Sequence, residues 1–265
     1  MAAEVVVVTG GSSGIGLAAA HRFARQGARV VLVARDPERL ERARAEVGGN
    51  ALALSADLTS PEAVATLAES LARDLGRVDV LVNSAGQLEL GPAEELGPET
   101  AERLMRVNYL GPVRTTLACL PLLRRGERRS IVNVASVAGK IAPPFMGAYA
   151  ASKAALTAYT YSLRQELRPE GFQVALVSPG PVDTPMTQGR LHTRHYPLPP
   201  GTVVVSADQA ADAVLAVVER RRAEVVVPLR LGFAARLGQL FPSLVDAVYR
   251  RTAEPEIIDN SPDSI

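Results

Sequence analysis

A doubly wound α/β fold, with a seven-stranded parallel sheet covered by helices on both faces, is what this sequence predicts, and three observations predict it. Short aliphatic runs alternate with longer amphipathic stretches along almost the whole chain. The runs are nearly continuous in apolar residues, as strands are when helices bury both of their sides; a sheet with one wet face would alternate. A glycine-rich turn joins the first run to the first amphipathic stretch, the place where such sheets admit a ligand.

The first strand is the valine run 5–8, halted by Thr9-Gly10. Further strands are expected at 29–33, 51–54, 78–82, 130–134, 173–177 and 224–227. Helices are expected between them at 15–26, 37–47, 61–75, 98–124, 148–168 and 207–222. Pro37, Pro61 and Pro98 open three of these, because a first-turn N–H has no helical partner to lose. Pro112 falls inside the fourth, so a kink or break is expected directly after Asn108-Tyr109-Leu110-Gly111, which puts Asn108 at irregular backbone. Residues 183–205, rich in Pro, Gly and Thr, form the one long irregular connection, and such loops are usually functional or disordered.

Beyond the seventh strand, Phe233, Leu237, Leu240, Phe241, Leu244, Val245 and Val248 recur at helical spacing. Arg230, Arg236, Arg250 and Arg251 flank them, and Pro242 divides the stretch into two helices. The expected organisation is one nucleotide-binding catalytic domain over 1–228, a C-terminal amphipathic helical extension of it over 229–253, and a flexible acidic tail over 254–265. The basic amphipathic stretch 229–251 either packs on protein, its own domain or a second subunit, or makes peripheral contact with a membrane.

With 265 residues and 47% hydrophobic composition the chain can bury one large core. Its 29 basic and 28 acidic residues leave a net charge of +1, too little to recruit nucleic acid, so the expected partner is a small molecule. Cys119 is the only cysteine and sits among apolar neighbours, which excludes an internal disulfide and fits a buried thiol in a reducing cytoplasm. The start carries no secretion signal, and no apolar run approaches the roughly 18 residues of a membrane span, so a soluble cytoplasmic protein is expected. His21 lies in the first helix while His192 and His195 lie in the long loop, a scatter that predicts no metal site. The loop's Arg190, Arg194 and histidines form a solvated cluster or grip an anionic substrate tail.

The turn Thr9-Gly10-Gly11-Ser12-Ser13-Gly14-Ile15-Gly16 can bring backbone close to a pyrophosphate at a helix N-terminus. Its spacing departs from Gly-x-Gly-x-x-Gly, and no Gly-Lys-Ser/Thr follows, which disfavours a P-loop. Tyr149 and Lys153, four apart on one helix, share a face, so an ammonium can lie beneath a phenol. One positive charge about 4 Å away at an effective dielectric near 20 is worth roughly 4 kcal/mol, or about three pKa units, enough to bring a phenol close to neutral pH.

Taken in order, Thr-Gly-x-x-x-Gly-x-Gly at 9–16, Asp57-Leu58, Asn83-Ser84-Ala85-Gly86, Asn108, Ser136, Tyr149-x-x-x-Lys153 and Pro179-Gly180 with Thr184 resemble the short-chain dehydrogenase/reductase family in its shorter, single-domain form. The resemblance covers nearly all of 4–228 and departs at Ser84, where a second asparagine is common. It implies a Rossmann-like fold and NAD(P)-dependent hydride transfer between nicotinamide and a ketone or secondary alcohol. Tyr149 would be the acid or base, and Ser136 would orient the substrate oxygen. Lys153 would lower the phenol and bind the nicotinamide ribose, and Asn108 would hold a water linking the lysine to solvent. Cofactor contacts are implied for Gly10, Ser12, Ser13, Gly14, Ile15, Gly16, Arg35, Asp57, Leu58, Asn83, Ala85, Gly86, Tyr149, Lys153, Pro179, Gly180, Val182 and Thr184. Asp57 would meet the adenine, with a helix cap as its alternative, and Asn83 and Gly86 would shape the cofactor wall.

NAD-preferring relatives usually carry an acidic residue at the end of the second strand, where this chain has Ala34 followed by Arg35. A guanidinium suits a 2′-phosphate, so NADP is expected over NAD, unless Asp36 neutralises Arg35 or reaches the ribose, or Glu38 or Glu41 pairs with it. The stretches 9–16, 33–35 and 108–111 are similar to reductases of long-chain keto lipids, hence an apolar or lipid-like carbonyl or alcohol substrate. The rival reading is a nonenzymatic nicotinamide sensor on the same fold; a sugar-nucleotide epimerase is disfavoured by the glycine spacing. Family members are commonly homodimers or homotetramers, and the same is expected here.

Overall fold

The computed structural model describes residues 3–250, so the expected tail over 254–265 lies outside the described residues. Five consecutive buried residues, Val5–Thr9, form β1. Then come α1 (Gly14–Arg25), β2 (Arg29–Ala34), α2 (Pro37–Val47), β3 (Leu52–Ser55), α3 (Pro61–Asp74) and β4 (Val80–Asn83). The chain continues through α4 (Pro98–Met105), a π turn (Arg106–Leu110), α5 (Gly111–Arg125), β5 (Ser130–Val134), α6 (Ala138–Ile141), α7 (Gly147–Leu167) and β6 (Gln173–Pro179). It ends with β7 (Val182–Asp183), β8 (Val205–Ser206), α8 (Ala207–Glu219), β9 (Glu224–Val227), α9 (Leu229–Leu240) and α10 (Pro242–Arg250).

The seven expected strands pair in parallel in the order β3-β2-β1-β4-β5-β6-β9. Alternate residues divide between two apolar layers. Val6, Val8, Leu32, Val80 and Val132 meet Ala19, Phe23 and Val214 of α1 and α8 on one face. Val7, Val31, Leu81, Ile131 and Val174 meet Leu67, Leu71, Leu123 and Leu163 of α3, α5 and α7 on the other. Burying each such side chain is worth roughly 1.5–3 kcal/mol, so pattern and topology reinforce each other. β4 starts at Val80 rather than 78 because Asp79 is a clamp: its buried carboxylate accepts from Val5 N at 2.8 Å and Glu127 N at 2.7 Å.

Strand order reverses between β1 and β4, and their C-terminal ends therefore open a crevice, the usual ligand site of such sheets. Thr9 closes its base, its Oγ1 accepting from Ser84 N at 3.1 Å and Ala85 N at 3.2 Å. Asn83 and Asn133 are register partners on β4 and β5, joined side chain to side chain at 2.8 Å. Thr116 and Thr160 extend this buried chain from α5 and α7, at 3.0 and 2.9 Å.

The kink or break expected at Pro112 takes the form of a π turn, which puts Asn108 at irregular backbone as expected, followed by uninterrupted helix. Proline has no N–H for the carbonyl four residues back, which is that of Asn108. The chain absorbs this by closing Gly111 N–H onto Arg106 O, five residues back, and Asn108 is held fully buried inside the widened turn. The long connection after β6 is not wholly irregular, since β7 and β8 pair within it. Among the described residues no helix is long and apolar enough to cross a membrane.

Candidate active site

The glycine turn leaves β1 and enters α1 at the crevice. Gly10 sits at φ +67°, and a Cβ there would lie 2.8 Å from Ala85 Cα; a Cβ on Gly16 would lie 2.3 Å from Gly10 O. Only glycine allows that turn and that approach of helix to loop. Ser13 makes no side-chain bond to the start of α1, and the first turn holds no acidic side chain, so its N–H groups and dipole face the crevice. From here a groove of about 570 Å³ passes Ser12, Arg35, Arg39, Asp57, Leu58, Ala85 and Gly86. A cavity of about 140 Å³ continues it past Gly14, Ile15, Gly16, Ser136, Tyr149, Pro179, Gly180, Val182 and Thr184. Cβ-free backbone, an uncapped helix end and the guanidinium groups of Arg35 and Arg39, without ion pairs among the described residues, fit a dinucleotide with its pyrophosphate at α1.

Asp57 is not the cap of α3. Its Oδ1 accepts from Thr59 N and Thr59 Oγ1, both at 2.9 Å, and Ser60 caps the helix. Asp36 Oδ1 caps α2, accepting from Glu38 N and Arg39 N at 3.0 Å each. Glu41 pairs with Arg44, and Arg35 has no ion pair among the described residues.

Tyr149 lies in the first turn of α7, half-buried, and Lys153 one turn on is 5% exposed. The lysine Nζ donates to Val134 O at 3.1 Å and stands 5.9 Å from the Tyr149 ring centroid. Burial away from carboxylates lowers Lys153 to about 8. Burial also raises Tyr149, opposed by the Ser136 hydroxyl. Loss of water around a phenolate is the larger of these two influences. Ser136, just past β5, accepts from Ala138 N at 3.1 Å, which holds its hydroxyl at the mouth of α6.

Asn108 and Lys153 stand behind the groove rather than in its wall. A Cβ on Gly86 would be 3.2 Å from Asn108 Oδ1 and 3.4 Å from Lys153 Nζ, so this glycine lets both reach one point. Asn108 Oδ1 accepts from Gln87 N at 2.8 Å, and its Nδ2 donates to Gln87 O and Ser152 Oγ, each at 2.9 Å. Asn83 lines neither the groove nor the cavity: its Nδ2 donates to Thr116 Oγ1 and Asn133 Oδ1, while its Oδ1 is buried without a hydrogen-bond partner among the described residues. The wall is made by Ser84, Ala85 and Gly86 instead, as the alternation of side chains at a strand end requires.

Next to Ser136 an apolar chamber of about 220 Å³ is lined by Ala138, Ile141, Met146, Tyr196, Leu198, Leu231, Val245 and Tyr249, among others, with no charged residue among the described residues. The cationic cluster of the long loop does not line it; Arg190 instead donates to Leu88 O at 3.0 Å beside the groove. Tyr196, Met186 and Tyr249 are lining residues that sequence reasoning missed. Tyr196 and Met186 come from the long loop, signalled by its length, and Tyr249 from α10, signalled by the amphipathic stretch 229–251.

Known proteins share this architecture. The family model for short chain dehydrogenase matches residues 4–195. The chain is similar to dehydrogenase/reductase SDR family member 7B of Bos taurus, 34% identical over 264 residues, covering 95% of this chain and 78% of that protein. It is similar to 1-deoxy-11-beta-hydroxypentalenate dehydrogenase of Streptomyces exfoliatus, 41% identical over 217 residues, covering 80% of this chain and 78% of that one. A solved 3-ketoacyl-(acyl-carrier-protein) reductase from Brucella melitensis, complexed with NADH, superposes with a TM-score of 0.77 at 29% identity, covering 84% of this chain and 96% of that one. Likeness of that extent, in sequence and in sheet, makes the family plain: this chain belongs to the short-chain dehydrogenases/reductases, the NAD(P)-dependent oxidoreductases.

Proposed function

We propose that the chain uses NADP to interconvert an apolar ketone and its secondary alcohol, with Tyr149 carrying the proton. One observation carries this reading: Ser136 and Tyr196 line both the cavity that continues the glycine cradle and the uncharged chamber beside it. A carbonyl held at that shared wall meets the Ser136 hydroxyl on one side, while its apolar remainder fills the chamber. The nicotinamide, when bound, supplies or accepts the hydride. In reduction the Tyr149 hydroxyl gives its proton to the substrate oxygen while Ser136 donates a hydrogen bond to it; oxidation reverses the transfer. Lys153, with its value near 8, remains an ammonium at neutral pH and favours the phenolate left behind. Asn108 positions the backbone of Gln87 and the hydroxyl of Ser152 around the lysine.

The preference for NADP is supported by Arg35, exposed at the groove and not neutralised, since Asp36 is committed to its cap. The test is a panel of ketones of increasing chain length, followed by NADPH absorbance, with NADPH affinity from fluorescence titration. Tyr149→Phe is expected to keep that affinity and lose about 10²–10⁴-fold in kcat, the usual worth of a positioned acid. An ordinary kcat in this variant removes Tyr149 from the reaction. Cofactor binding without turnover of any member of the panel removes the substrate class.

A further inference from the structure

We propose that the outer face of α9 and α10 docks on an anionic lipid bilayer, and that the chamber takes its apolar substrate from that surface; the second statement rests on the ketone reductase reading above. The helix α9 is arranged with its small residues inward. Gly232, Ala235 and Gly238 are buried, and a Cβ would lie 3.0 Å from Val226 Cβ at Gly232 and 2.6 Å from Val245 Cγ2 at Gly238. The large residues point out: Leu229, Phe233, Leu237 and Leu240 are 70%, 62%, 52% and 72% exposed. Phe23 at 1% and Leu123 at 0% are interior by contrast, and outside this region Leu117, at 56%, is an isolated exposed leucine among the described residues. The stripe runs on through exposed Phe241 to Leu244 and Val248 of α10, a contiguous apolar strip of a kind that marks an interaction site.

Charge selects the occupant. At about 100° per residue, Arg236 and Arg230 fall on opposite edges of the stripe, and α9 contains no acidic residue. Neither they nor Arg250 has an ion pair among the described residues. Apolar side chains bordered by unpaired arginines match acyl chains bordered by anionic headgroups. A second copy fits less well, because a two-fold contact through this face would oppose arginine to arginine, with Asp246 the only carboxylate on either helix.

Two residues of this face also border the chamber. Leu244 and Val248, 51% and 47% exposed, also line the chamber, with Val245 and Tyr249 behind them. An apolar ketone dissolved in the acyl layer would reach Ser136 without crossing water.

The test is flotation of the intact protein with phosphatidylcholine vesicles, with and without phosphatidylserine. Flotation is expected only with phosphatidylserine and is expected to weaken as salt rises, since exposed charges are screened within about 10 Å at 0.1 M. Combined Arg230→Glu and Arg236→Glu should lower partitioning by at least about 30-fold. Phe233→Gln with Leu237→Gln should also detach the protein and reduce turnover of a long-chain ketone held in vesicles. Turnover of a small water-soluble ketone should be unchanged in both variants, which also reports that they fold. Failure of the intact protein to float at low salt overturns the docking proposal while ketone turnover leaves the reductase reading standing. Flotation unchanged in the apolar variant, with its oligomeric state altered in sedimentation, assigns the face to a second copy and overturns it equally. Flotation without turnover of any ketone keeps the docking and removes the reductase reading.

Discussion

Arg35 illustrates how one side chain sets a preference through the commitments of its neighbours. Asp36 spends a carboxylate oxygen on two backbone donors, and Glu41 is held by Arg44, so the guanidinium lines the groove without an ion pair among the described residues. Ala34→Asp combined with Arg35→Ile should exchange a phosphate partner for a hydroxyl partner. Loss of a charged hydrogen bond costs roughly 1.5–3 kcal/mol, so kcat/KM with NADPH should fall about 10- to 150-fold while that with NADH rises. A ratio of the two constants that does not move would refute the assignment. That Arg35, Tyr149 and Ser136 lie along the crevice was expected from the end of the second strand, from helical spacing and from the family resemblance, in that order. The direction of the Tyr149 shift was not legible. It depends on burial among Leu88, Met146, Tyr196 and Leu198, which arrive from distant segments. The inward turn of Asn83 was hidden for a related reason, since its partners Thr116 and Asn133 belong to other elements.

At the scale of elements, the cradle depends on how closely α1 approaches its own loop. Gly16→Ala places a Cβ 2.3 Å from Gly10 O, a backbone atom that cannot swing aside. Overpacking of this kind costs about 1–3 kcal/mol, which for a domain of this size lowers Tm by about 2–12 °C, and NADPH affinity should fall with it. Gly147→Ala is the matching control: nothing lies within 4 Å of its Cβ, and it opens α7, so Tm should hold or rise. Calorimetry and fluorescence titration of both variants decide the matter, and equal behaviour would mean that the close approach carries no energy. The seven strands were readable because both of their sides are buried, leaving apolar runs with no alternation, and every helix but α6 falls in a stretch whose spacing is helical, α4 and α5 reading as one. The π turn was not. Pro112 announces a fault, but whether the chain breaks or widens depends on Asn108 finding Gln87 and Ser152 as partners. The four-residue α6 and the two-residue β7 and β8 are too short to leave a period.

For the whole molecule, Lys153 couples stability to pH. Its folded value near 8 lies below the ordinary 10.5, so between these values the unfolded chain binds more protons. Stability therefore rises with pH through that window, and the cost of the buried charge is fully present below about 8. At about 1.4 kcal/mol per pH unit the difference is on the order of 3 kcal/mol. Relative to Lys153→Met, the wild-type Tm should climb from pH 8 to 10.5 and run parallel below 8; parallel curves throughout would show that the ammonium is not penalised. The orientation of α9 also emerges only at this scale, because the sequence offers two apolar faces and only packing on Val226 and Ile141 shows that the small one goes inward. The side-chain link between Asn83 and Asn133 acts on assembly as well. Sliding β4 by one residue along β5 would send Asn83 to the opposite layer, among valines, and strand the amide of Asn133 without its donor. An orphaned buried polar group costs about 1–3 kcal/mol, and here two would be orphaned at once. Apolar strands that could pair in many offsets thus carry, at the centre of the sheet, a proofreading pair that admits one.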